Sequence, residues 1–282
     1  MKNNNLLLRT ATGICFVAVV VSCILFSYYS YAILFSVFCA LSMWEFCNLV
    51  NKKENVNVNC FINIISGIYL FYAFFGFCKN EVGSYIFIPY LILIIYSIVT
   101  EIYRKHKDPI ETWAHTMLAQ IYVALPFALL NVIAFQIVAG SNGEIAYHPT
   151  LLLSIFIFIW LNDTGAYCTG SLIGRHKLFP RISPMKSWEG SIGGGILVII
   201  VALIFSHFFN DLSVIGWLGF GLVIVIFGTL GDLVESLFKR TLGIKDSGNI
   251  LPGHGGMLDR FDSAIIAIPA VIVYLYTLSL FD

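Results

Sequence analysis

Residues 231–262 read GDLVESLFKRTLGIKDSGNILPGHGGMLDRFD. This polar stretch separates two runs without a single charge, Val214–Leu230 before it and residues 263–281 after it. A bilayer core about 30 Å thick is crossed by about 20 apolar residues in a helix. The stretch is therefore a connection between two membrane helices, and its charges sit where lipid ends. Asp232, Glu235, Ser236 and Lys239 recur at i, i+3, i+4 and i+7, so a helix lines all four along one face. A segment with three glycines and a histidine, Pro252-Gly253-His254-Gly255-Gly256, follows, and then a second acidic helix start with Asp259 and Asp262. Charges at a helix end need only be wetted, and acidic residues suit a helix N-terminus. A charged stripe followed by a flexible loop and further carboxylates predicts more, a metal or phosphate site.

Outward from there, the composition fixes the class. The chain of 282 residues is 59% hydrophobic and only 11% charged, against about 45–50% and about 25% in ordinary globular domains. The expectation is an all-α polytopic transmembrane bundle with about nine spanning helices, at 10–28, 30–50, 60–78, 83–103, 113–138, 150–172, 191–209, 213–238 and 263–281. Only Tyr28-Tyr29-Ser30 divides the first two, and a count of eight is the alternative. Residues 1–110, poor in charge, read as a packing and anchoring half. Residues 111–282 read as the catalytic half, with loops 173–190 and 239–262. Within the first half Glu45 is the exception, and its late position in a helix predicts snorkelling to the interface.

Net charge is zero, with 16 basic and 16 acidic residues, so only the distribution of charge is informative. With nine helices and a cytoplasmic N-terminus, the cytoplasmic pieces collect Lys2, Arg9, Lys52, Lys53, Arg104, Lys105, Lys107, Arg175, Lys177, Arg181, Lys186, Lys239, Arg240, Lys245 and Arg260. Lys79 alone falls outside. This bias orients membrane proteins, and it places both long basic loops on one cytoplasmic face beside lipid headgroups. The N-terminal run lacks a small-residue cleavage site and reads as a retained first helix. The seven cysteines lack metal-ligand spacing and read as small apolar residues.

Two upstream segments join the site. In WLNDTGAYCTGSLIG, Asp163 stands about 13 residues into an apolar run, where a carboxylate costs about 2.5–3.5 kcal/mol and normally faces a partner or a wet cavity. Gly165, Ala166, Gly170 and Ser171 permit close approach of a neighbouring helix. In GRHKLFPRISPMKSWEGSIGGG, Arg175, Lys177, Arg181 and Lys186 supply cations, and Ser183-Pro184 breaks any helix. The run Ser191–Gly195 reads as a helix start, where free amides bind anions.

The polar positions from Ser236 to Asp262 resemble the signature of the phosphatidate cytidylyltransferases, or CDP-diacylglycerol synthases. Ser236, Lys239-Arg240, Lys245-Asp246, Gly248, Leu251-Pro252, His254-Gly255-Gly256, Asp259-Arg260 and Asp262 all match. Asn162–Gly170 and Ile182–Gly190 also resemble family segments, with Ser187 where threonine is more usual. The resemblance implies transfer of the cytidylyl group of CTP to phosphatidate, releasing pyrophosphate. It places Mg²⁺ on Asp232 and Asp259, with a monovalent cation such as K⁺ assisting. Asp232, Asp259, Lys239, Asp246 and Asp262 are then the catalytic candidates. Arg240, Lys245, His254, Arg260, Lys186, Ser183 and Asp163 are the substrate-binding candidates. It further implies a homodimer; the composition favours a bacterial inner membrane, the charge bias turns the site to the cytoplasm, and no nucleic-acid partner is expected. CDP-alcohol phosphotransferases carry a different acidic string that is absent here. The remaining alternative is an ion or metabolite transporter with an intramembrane carboxylate site, against which the absence of an internal repeat counts.

Overall fold

A computed structural model describes residues 2–104, 108–137, 143–248, 250 and 255–280, with side chains from Thr10 onward. His254, assigned to substrate binding above, lies outside the described residues, as do Leu251, Pro252, Gly253, Lys105 and Lys107 and the side chains of Lys2 and Arg9. Among the described residues eight helices are long and apolar enough to cross a membrane, and a ninth apolar helix is shorter. The all-α polytopic expectation holds.

The helices run in chain order as α1 (Lys2–Phe26), α2 (Tyr28–Val50), α3 (Cys60–Cys78), α4 (Ile88–Val99), α5 (Glu101–Arg104), α6 (Pro109–Leu118), α7 (Leu125–Ala134), α8 (Pro149–Ile173), α9 (Trp188–Phe208), α10 (Val214–Thr241) and α11 (Leu258–Leu278). A 3₁₀ turn, Ser84–Phe87, leads into α4, and with α4 and α5 it makes one span, Ser84–Arg104. A π-helical segment, Ala119–Ala124, does the same for α6 and α7. Polar caps set several starts, because the first amides of a helix have no partner within it. Asn59 accepts from Ile62 N at 3.2 Å, Asp108 from Glu111 N at 3.1 Å and Ser213 from Gly216 N at 3.1 Å.

The chain forms two compact units. The first comprises residues up to Pro149 together with Ile244–Arg260, and the second comprises Thr150–Gly243 with the chain from Phe261 onward. In the first unit α2 packs on α1 and α3, and α3 packs on α7. Polar side chains stitch this apolar packing. Gln120 Nε2 donates to Asn63 Oδ1 at 2.9 Å, and Asn131 Nδ2 donates to the Phe71 carbonyl at 3.1 Å. Such bonds hold helices together where lipid gives no hydrophobic drive. Strands β1 (Phe135–Ile137) and β2 (Ile145–Tyr147) pair antiparallel, with Phe135 opposite Tyr147. Lys79 lies over the rings of Tyr28, at 4.3 Å, and Phe75, at 5.0 Å, while pairing with Glu81 at 2.7 Å.

In the second unit α9 packs along α10. Phe158, Phe205, Trp217 and Phe220 form its aromatic centre. The outer faces carry Ile192, Ile196, Ile200 and Leu203 in exposed positions, which suits a lipid surround. Helix α8 meets α9 at glycines. A Cβ on Gly165 would stand 2.9 Å from Gly194 Cα, and one on Gly190 would stand 2.8 Å from the Ala166 carbonyl. Gly165, Ala166 and Gly170 of α8 thus act as expected, while Ser171 is exposed.

Two expectations need correction. Glu45 does not snorkel: it is 2% exposed, inside the first unit. Helix α9 starts at Trp188 rather than Ser191, capped by Ser187, whose Oγ takes Gly190 N at 3.2 Å. Gly193 and Gly194 therefore lie within the helix and face Thr169, Asn162 and Ala166. Their lack of a side chain serves helix contact instead of an anion.

Candidate active site

In the second unit, the C-terminal half of α10 presents the stripe foreseen from its spacing. Ser236 Oγ donates to Asp232 Oδ1 at 3.2 Å. One turn along, Lys239 Nζ pairs with Glu235 Oε1 at 3.4 Å, with the Glu235 side chain fully buried. A buried charge persists only when it is paired, so Lys239 is held by Glu235 at the base of the stripe. Lys186 reaches Asp232 from outside the helix, its Nζ in an ion pair with Oδ2.

A short hairpin delivers Lys186. Strand β3 (Lys177–Phe179) pairs antiparallel with β4 (Ser183–Ser187), and β4 runs directly into α9. Ser183 and Lys186 are half-buried on β4, while Arg175, Lys177 and Arg181 are exposed. The Glu189 carboxylate ties the hairpin down: it accepts the backbone amides of Arg175 and His176 at 3.2 Å and pairs with His176 Nδ1 at 2.6 Å.

Asp262 enters from α11, within electrostatic reach of Asp232, Asp163 and Lys239. Gly231 makes this approach possible, since a Cβ there would stand 2.6 Å from the Asp262 carbonyl and 3.0 Å from that of Ser263. Asp163 is exposed on α8, beside buried Asn162, whose Nδ2 donates to Thr229 Oγ1 of α10 at 3.4 Å. The second unit thus gathers Asp163, Asp232 and Asp262 with Lys186 and Lys239.

The first unit holds the other half of the signature. Asp259 Oδ2 accepts the amides of Ser247 and Gly256, both at 2.9 Å. Gly255 makes the tight turn this requires, with φ of +83°, a region glycine enters without steric penalty. Lys245, Asp246 and Arg260 are exposed, as is Arg240 of the second unit. Asp259 and Asp262 fall one turn apart on α11. Glu45 is the residue the sequence reading assigned to the interface. Its Oε2 accepts Leu258 N at 2.8 Å and Ser247 Oγ–H at 3.1 Å. No local signal announces that role, because the partners lie some two hundred positions away in the chain. Among the described residues, no three His, Cys, Asp or Glu side chains are grouped as a ready-made metal cage.

Carboxylates balanced by lysines on membrane helices, next to a basic hairpin, suit a polytopic membrane transferase for anionic substrates. The chain belongs to the cytidylyltransferase family, whose model matches residues 7–278, and it is a nucleotidyltransferase. Among the relatives it resembles, a phosphatidate cytidylyltransferase of Haemophilus influenzae is 32% identical over 268 residues, covering 89% of this chain and 92% of that protein. Phosphatidate cytidylyltransferases of Staphylococcus aureus and Staphylococcus haemolyticus are 52% and 53% identical over 125 and 126 residues, covering 44% of this chain and 48% of each of theirs. The transporter alternative finds no support in these likenesses.

Proposed function

We propose that this chain transfers the cytidylyl group of CTP to phosphatidate, giving CDP-diacylglycerol and pyrophosphate, and that the residues just described carry the reaction. The observation that carries this reading is Lys186 on Asp232, with Asp262 and Asp163 in the same electrostatic neighbourhood. A phosphate oxygen of phosphatidate attacks the α-phosphorus of CTP. The new P–O bond forms as the α–β anhydride bond breaks, and pyrophosphate carries the electron pair away. The attacking phosphate is already anionic at neutral pH, so no general base is needed. What the protein must supply is alignment and neutralisation of charge. Lys186, Arg240, Lys245 and Arg260 supply the cations, and the Glu189 anchor keeps the hairpin of Lys186 in register.

The donor chemistry fits a hard divalent cation. Mg²⁺ is usually bound through one or two carboxylates, keeping waters and substrate phosphates as its other ligands, not through an all-protein cage. Carboxylates that meet lysines and loop amides suit that mode, and Asp232 already accepts a cation in Lys186. Asp232 and Asp259 are the residues that would hold Mg²⁺, which would offset charge developing on CTP oxygens. K⁺ is the candidate second cation. Asp163, Asp246 and Asp262 orient these groups. We further take the protein to be a homodimer of the bacterial inner membrane, with the site facing the cytoplasm and phosphatidate entering sideways from lipid.

The test is the purified protein in detergent–phosphatidate micelles with CTP and Mg²⁺, monitored for pyrophosphate release and for radiolabel from CTP entering lipid. Both signals are expected, both lost on chelation with EDTA and restored by added Mg²⁺. Release of pyrophosphate without labelled lipid, or undiminished turnover in EDTA, refutes the reading.

A further inference from the structure

We propose that Glu45 is a positioning residue for cytidylyl transfer, through which α2 fixes the backbone at Ser247 and at the start of α11, next to Asp246 and Asp259. The inference rests on the functional reading above but concerns a residue outside the signature. Glu45 lies within a helix that crosses the membrane, 2% exposed. Burial of a carboxylate costs several kcal/mol unless its surroundings compensate, and here they do so from one stretch of chain. Oε2 takes the amide of Leu258, the first residue of α11, at 2.8 Å, and the hydroxyl of Ser247 at 3.1 Å. Asp259 takes the intervening donors, Ser247 N and Gly256 N.

Ser247 is therefore gripped twice, by its hydroxyl on Glu45 and its amide on Asp259. The amides of Gly256 and Leu258 alternate between the same two carboxylates. Gly248 and Gly256 complete the fit, since a Cβ on either would strike the Glu45 carboxylate. The two glycines of the signature nearest Glu45 are thus small because Glu45 occupies the space. Glu45 is not among the groups assigned to the reaction; it fixes the backbone from which Asp246 and Asp259 project. Its other oxygen, Oε1, has no hydrogen-bond partner among the described residues, so the neutral amide of glutamine can take over the acceptor role of Oε2.

The experiment pairs hydrogen–deuterium exchange of the full-length protein in micelles with steady-state kinetics for Glu45→Ala, Glu45→Gln and Ser247→Ala. In Glu45→Ala, amides of Ser247 and Gly256–Leu258 are expected to exchange at least about tenfold faster while the other helices are unchanged. A misplaced group near 1 Å off costs about 10²-fold, so kcat is expected to fall about 10–100-fold with KM for CTP within about threefold. Glu45→Gln is expected to recover kcat to within about threefold of the unmodified protein, because it restores an acceptor. Unchanged loop exchange in Glu45→Ala, a loss confined to KM, or Glu45→Gln as impaired as Glu45→Ala each overturns the proposal. Should Glu45→Ala fail to fold, Ser247→Ala decides, since it withdraws a donor and leaves the carboxylate: faster exchange of the loop and slower turnover support the proposal, and unmodified behaviour overturns it. Absence of cytidylyl transfer by the unmodified protein would instead refute the functional reading, while the exchange measurements would still judge the latch.

Discussion

Replacing Gly231 by alanine tests how the acidic residues of α10 and α11 are brought together. The added Cβ would lie 2.6 Å from the Asp262 carbonyl oxygen, 3.0 Å from that of Ser263 and 3.1 Å from Ser263 Cα. All three obstacles are backbone, so no side chain can rotate away. Reaching ordinary contact requires the helices to separate by about 0.8 Å at this point, and overpacking of that kind costs about 1–3 kcal/mol. For a chain of this size the apparent melting temperature in detergent should fall roughly 2–10 °C. Asp262 sits on the displaced backbone, so CTP-dependent pyrophosphate release should drop about 30–100-fold. Gly228, one turn earlier on the same helix, supplies the control. Its Cβ would meet Ser263 Cβ at 3.7 Å and Ile159 Cγ1 at 4.0 Å, which is ordinary contact. Both substitutions gain the same helix propensity, about 1 kcal/mol, so their difference isolates the crossing. Gly228→Ala should match or exceed the unmodified protein in stability and keep its activity. Equal activity and equal melting temperature in the two variants would refute the reasoning.

Two more outcomes follow from the geometry. Asp232→Asn keeps an acceptor for Ser236 but removes the charge facing Lys186, and it should cost about 10²–10³-fold in kcat with a melting temperature close to that of the unmodified protein; full turnover would remove Asp232 from the reaction. Ser187→Ala strips the cap from α9 and should cost about 1 kcal/mol, seen as a small drop in melting temperature; no drop would mean that Gly190 N finds another partner.

The spans were legible because a bilayer demands some 20 apolar residues in a row, a signal that survives errors of a few positions. The stripe on α10 was legible for a different reason. Contacts at i+4, such as Ser236 with Asp232 and Lys239 with Glu235, are dictated by helix geometry alone. What the chain concealed was long-range or short. Strands β3 and β4 have three and five residues, too few for an alternation to stand out. The pairing of Lys186 with Asp232 joins distant segments, and the sequence showed two charged residues without showing that they meet. The glycines of 193–194 were visible but ambiguous, since absent side chains serve an anion or a neighbouring helix equally well. Glu45 was misread because the depth of a residue in its helix says nothing about which donors surround it.

The grip of Glu45 on Ser247 and Leu258 bridges 202 and 213 positions of chain, and that separation imposes an order on assembly. A ribosome adding about 5–20 residues per second delivers the donors about 10–40 s after the acceptor. Through that interval the second helix stands in the membrane without these two donors. The amino-terminal half is thus a mould already cast when the last segment arrives, and a truncated chain beginning at the third helix would present the signature with nothing to shape it.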